Sequence, residues 1–173
     1  MLQLRCTKKV LDTFGYKSAN ISEIVRPDSV LGNWYVTQTQ IDRRKTLVFM
    51  NERTLLSFVR FGLRKDNAKD LELVAIKSIA QLLEHEGFTD SEIEFVLSDY
   101  MRIEVTKTDN RKALGSLNDL VRLYDVHIYS DGGFASCDLT AIMANVNRTP
   151  QRNIGWRYSI DVVKELIRGD KMS

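Results

Sequence analysis

Three runs of β-type residues follow one another with connectors too short to hold anything but turns. They are "WYVTQTQI" (Trp34 to Ile41), "TLVFM" (Thr46 to Met50) and "TLLSFVRF" (Thr54 to Phe61). The first is rich in β-branched and aromatic residues. The second is apolar on both faces, as an inner strand should be. The third has no periodicity that separates a strand from a short helix. The connector Asn51–Glu52–Arg53 decides it, because neighbours joined that tightly pair antiparallel, whereas a parallel crossover needs a dozen residues or more. The spacing predicts an antiparallel meander, with Asp42 to Lys45 as the tip of its first hairpin.

The flanking chain reads as one more early strand and then mostly helix. "LQLRC" (Leu2 to Cys6) alternates and predicts a short strand. Thr7 is placed to cap a helix through Phe14, with Gly15 as its left-handed terminator. Residues 17–33 read as irregular. Leu71, Val74, Ala75, Ser78, Ile79 and Leu82 recur at helical spacing before Gly87. Thr89 and Glu92 then form a capping box, flanked by the staple pair Phe88 and Ile93, for a helix to about Tyr100. "RIEVTKT" (Arg102 to Thr108) alternates as a strand. A stripe of Leu114, Leu117, Val121, Tyr124 and Ile128 predicts a long helix ending at "SDGG". Ser136 and Ser159 are the expected caps of two more helices. The expected fold is α+β: four to five mostly antiparallel strands with an early meander, packed with about five helices.

Composition bounds the function classes. The 173 residues fit a single domain, 1–173, and 43% apolar content supplies a core. Two prolines and nine glycines leave little for a linker. No apolar run approaches the roughly 20 residues of a membrane helix. "MLQLRCTKKV" carries cations where an export signal would be apolar, so a cytoplasmic, soluble protein with two reduced thiols is expected. The net charge of +2 conceals segregation. Residues 1–65 carry 12 Lys/Arg against 5 Asp/Glu, and residues 66–109 carry 4 against 11. Either a basic face attracts anions, or the two segments pack together and cancel.

The stretches "LGNWYVTQTQIDRRKTLVFMNERTLLSF", "TKTDNRKALGSLNDL" and "NRTPQRNIGWRYS" resemble a family of uncharacterised bacterial proteins. Its members occur alone or at the N-terminus of larger plasmid-borne proteins. The resemblance implies a bacterial, mobile-element or phage-defence setting and supplies no catalytic residues. "NRTPQRNIGWRYSIDVV" is also similar to the asparagine-arginine-proline ending of transposase integrase cores. Such enzymes hold two metal ions on separated acids. Here Thr149 intrudes before Pro150 and no upstream strand carries a suitably spaced acidic pair, so the likeness is read as a local turn.

Several clusters are candidates for binding. Arg43, Arg44 and Lys45 can grip phosphates through guanidinium and ammonium groups, or form a solvated turn that protects the hairpin. Lys107 and Arg111 flank a helix start that attracts anions unless Asp109 or Asn110 occupies its amides. Arg148 and Arg152, with Asn145 and Asn147, surround a helix end, where they can bind a partner or cap the helix. Trp156 and Tyr158 can stack on bases, but buried anchoring of the last helix is expected. His85 and His127 fall in no ligand pattern, and no metal or other cofactor is called for. The expected function is a binding module that contacts nucleic acid or a protein partner through its basic surface. A toxin-like, metal-independent ribonuclease and a protein-binding antitoxin or inhibitor are the alternatives.

Overall fold

A computed structural model describes residues 1–63 and 68–171. In chain order the elements are β1 (Leu2–Cys6), α1 (Lys8–Thr13), β2 (Trp34–Ile41), β3 (Arg44–Asn51), β4 (Ser57–Phe61), α2 (Ala68–His85) and α3 (Asp90–Ser98). Then come β5 (Ile103–Lys107), α4 (Arg111–Ser130), α5 (Leu139–Val146) and α6 (Ser159–Lys171). The fold is α+β, built on one five-stranded sheet in the order β4-β3-β2-β1-β5. β2, β3 and β4 form the expected antiparallel meander. β1 is inserted between β2 and β5 and runs parallel to both. The sheet is therefore mixed, because the N-terminal strand pairs with a strand about a hundred residues away.

Strand alternation divides the core. Leu2, Leu4, Trp34, Val36, Leu47, Phe49 and Phe58 face one side, under α1, α2, α3 and α6. Tyr35, Ile41, Val48, Met50 and Val59 face the other, under α4 and α5. β3 contributes apolar side chains to both cores, as its unbroken apolar run requires. The second face of β1 is polar. Gln3 there donates to the Glu23 carbonyl and accepts from Val25 N, so the irregular segment after α1 is tied down across the strand.

The end signals are partly as expected. Thr89 and Glu92 make both capping-box bonds, and Arg168 on α6 reaches Glu92 at 3.1 Å. Gly15 and Gly87 end their helices at φ values of 70° and 81°. Three cap expectations are corrected. Thr7 stands at the start of α1, but its hydroxyl faces Thr37 on β2 and makes no cap bond. Asp138, not Ser136, caps α5 by accepting from Ala141 N, because residues 133–137 are spent on a turn. Ser159 lies inside α6 with its buried hydroxyl unpartnered. Among the described residues no helix is long and apolar enough to cross a membrane.

Candidate nucleic-acid interface

The β2–β3 hairpin pairs over eight positions, from Trp34–Asn51 to Ile41–Arg44. Its turn is only Asp42–Arg43, both left-handed at φ 48° and 60°. That backbone twist matches the strands and closes the hairpin in two residues. The expected four-residue tip is thereby corrected: Arg44 and Lys45 continue the ladder. Alternation then sends them to opposite faces. The Arg44 guanidinium lies 5.4 Å from the centre of the Phe61 ring, which stacks on Phe134. Asp42 does not neutralise its neighbours. Its carboxylate accepts from Phe134 N at 2.9 Å and so pins the tip to the loop after α4.

Arg43, Arg44 and Lys45 are exposed, and none of the ion pairs among the described residues includes them. Three acids of the middle segment are paired elsewhere. Glu86 holds Arg148, Glu92 holds Arg168 and Asp109 holds Arg5. The charge segregation of the sequence therefore survives at the hairpin.

Lys107 and Arg111 are both exposed, at the end of β5 and the start of α4. The amides of Lys112 and Ala113 are taken by the Asn110 side chain, so Asn110 is the cap and the anion site there is filled. α4 is 20 residues long, about 30 Å, and the hairpin tip docks beyond its far end. The structure thus separates Arg111 from Arg43 instead of gathering them.

Asp109 turns away from the helix to a cluster that sequence reasoning missed. Arg5 donates to it at 2.6 Å, Tyr35 donates to its other oxygen, and Arg5 also reaches the Val25 carbonyl. Burial works against the Asp109 charge, yet the Tyr35 and Arg5 hydrogen bonds outweigh it and hold the carboxyl below its usual range. Burial, reinforced by Asp109, pushes the Tyr35 hydroxyl up to about 12. The cluster floors a cleft of about 480 Å³ whose rim carries Arg26 and Arg53. With Asp109 held by two donors, it clamps β1, β2 and the α4 start together. One signal was visible in the sequence: an arginine inside a strand of only five residues.

The sequence of residues 3–162 matches the family described as a domain of unknown function (DUF6933). The chain belongs to this family. Comparison with curated protein sequences gives no match. Among solved structures, the chain is similar to the catalytic core domain of BIV integrase. The TM-score is 0.50 at 15% identity, over 80% of this chain and 97% of that one. The likeness is one of fold. Among the described residues of this DUF6933 member no group of three or more His, Cys, Asp or Glu side chains is placed to hold a metal ion.

The segment after α5 distributes its residues differently from expectation. Asn147 is fully buried and bonds the backbone of Ser57 on β4. Arg148 makes two bonds to Glu86, whose side chain is 4% exposed, and a third to the Ala144 carbonyl. Arg152 is exposed in a short 3-10 turn. Trp156 is 68% exposed and Tyr158 43% exposed, which corrects the expected burial of both as anchors of α6.

Proposed function

We propose that this DUF6933 chain is a single-domain binding module that takes the phosphate backbone of a nucleic acid on its β2–β3 hairpin. The observation that carries the reading is the exposure of Arg43 in the two-residue turn and of Arg44 and Lys45 at the start of β3, with no acid of the described residues paired to them. Asp42 bonds the Phe134 amide, so the tip is preorganised and its cations are left for an anion. Lys107, Arg111 and Arg152 are secondary contacts at the other end of α4, and Arg148 serves first as a strut to Glu86. A cytoplasmic protein in a bacterial mobile-element or phage-defence setting fits this reading. The shared fold with an integrase core is compatible with it, but fold alone carries no function.

The test is binding of a duplex and of a single-stranded oligonucleotide across a salt series. Replacing Arg43, Arg44 and Lys45 together by Ala removes three phosphate contacts. The slope of log affinity against log salt should fall by about two to three units, since each contact contributes about 0.7 to 0.9. An unchanged slope and affinity defeats the proposal.

One observation favours a second reading, a protein partner. Ala80, Ile93, Leu97 and Met101 line an apolar groove of about 640 Å³ between α2 and α3, rimmed by Glu84, Asp90 and Glu94. Met101 is 87% exposed. A basic amphipathic segment is the complementary occupant. Under this reading Glu84→Lys with Glu94→Lys abolishes docking of such a peptide, and the hairpin triple variant leaves it intact.

A further inference from the structure

Trp156 is held where an aromatic residue has no folding reason to be. It follows Gly155, and both are left-handed, at φ 60° and 73°. A bulky residue in that region is a steric outlier, sustained only when its surroundings over-determine it. The surroundings do so here. Trp156 N donates to the Gln151 carbonyl at 2.9 Å, and Gln151 N donates to the Arg157 carbonyl at 3.0 Å. Asn153 donates to Ser116 on α4 at 2.5 Å, and Arg157 is ion-paired with Glu165 on α6. The loop is a braced pedestal, yet the indole on top of it is 68% in water. The cost of the strained backbone is thus not offset by burial.

What surrounds the ring indicates what it takes. Trp156 shares a shallow pocket of about 530 Å³ with Pro150, Arg157, Tyr158, Asp161, Lys164 and Glu165. Two cations and two acids leave it nearly neutral, unlike the hairpin, so it is a poor hand for phosphate. A flat π-face flanked by both donors and acceptors matches a nucleobase, which has a π-face of its own and both kinds of group at its edge. Arg152, exposed on the same loop, is available for the adjoining phosphate.

We infer that Trp156 is a stacking platform for an unpaired nucleobase, with Arg157, Lys164, Asp161 and Glu165 meeting the base edge. The inference rests on the nucleic-acid reading of the hairpin and extends it to single strands. The two surfaces are well apart: Ser116, which bonds the loop, and Asp131, beside the hairpin dock, are 15 residues apart along α4, about 22 Å. They can therefore be tested separately.

The chain has two tryptophans, and Trp34 is fully buried, so emission characteristic of a solvated indole reports Trp156 alone. A single-stranded 12-mer is expected to quench that emission, and a duplex of the same sequence to leave it unchanged. Trp156→Gly relieves the left-handed strain, so it should keep the fold. It should also weaken single-strand binding about 5- to 100-fold, while Trp156→Phe retains most of it. Equal quenching by the duplex overturns the inference. So does an unquenched single strand whose affinity is the same for wild type and Trp156→Gly. In that last case a salt slope that still responds to Arg43, Arg44 and Lys45 leaves the hairpin reading standing. If neither oligonucleotide binds the wild-type protein, both readings fall.

Discussion

Replacing Asn147 by Ala should be among the most damaging single changes outside the apolar core. β4 is an edge strand, so Ser57 presents a backbone N–H and C=O with no strand to receive them. The Asn147 side chain acts as that strand: its oxygen accepts from Ser57 N at 2.9 Å, and its nitrogen donates to Ser57 O at 2.9 Å. Ser57 and Asn147 are both fully buried, and Tyr124 closes the site by bonding the Ser57 hydroxyl at 2.8 Å. Truncation strands two buried backbone groups at about 1–3 kcal/mol each, so the loss should be about 2–6 kcal/mol. For a chain of this size each kcal/mol lowers Tm by about 2–4 °C, giving a fall of about 4–24 °C. Asn147→Asp keeps the acceptor but sets a carboxylate against the Ser57 carbonyl, and should be no better. Urea unfolding followed by circular dichroism measures both variants, with the denaturant slope checking that the transition stays two-state. A loss under about 0.5 kcal/mol for Asn147→Ala would show that the amide is not standing in for a missing strand.

Asp109 and Gly133 offer two further tests. The Asp109 carboxyl is held below its unfolded value near 3.9, so its stabilisation is complete above that pH and is lost as pH falls through the folded value. Asp109→Asn should be less stable than wild type at pH 7, and urea midpoints should converge as pH drops below about 4; a constant gap refutes the linkage. At Gly133 (φ 86°), an added Cβ would lie 2.5 Å from the Asp42 carboxylate oxygen. Gly133→Ala should therefore cost about 1–3 kcal/mol through the left-handed backbone and the displaced Asp42–Phe134 bond. Combined with Asp42→Ala it should cost less than the sum of the single changes, and strict additivity in thermal unfolding would contradict the contact.

Where the determinants are local, the sequence was legible. Alternation places β1 and β5, β-branched and aromatic residues place β2, an unbroken apolar run places the inner strand β3, and the Thr89–Glu92 box marks the start of α3 within one turn. The hairpin tip is two residues shorter than the local sequence indicates, because Asp42 and Arg43 adopt left-handed angles usually left to glycine or asparagine. Other misses have remote partners. Arg5 finds Asp109 and Tyr35, and Arg148 finds Glu86, across separations that no periodicity encodes. Trp156 is exposed although hydrophobicity argues for burial, because its exposure is set by where the braced loop points.

Residue order alone determined most of the elements, the Thr89–Glu92 capping box and the concentration of cations in the first third, since each follows from neighbours within a turn or a strand. Tertiary structure decided that β1 inserts parallel between β2 and β5, that Asn147 supplies the edge of β4, and which charges remain unpaired at the surface. Those outcomes depend on which distant groups meet when the two faces of the sheet are covered, and loop-closing contacts of that kind leave no pattern in the local sequence.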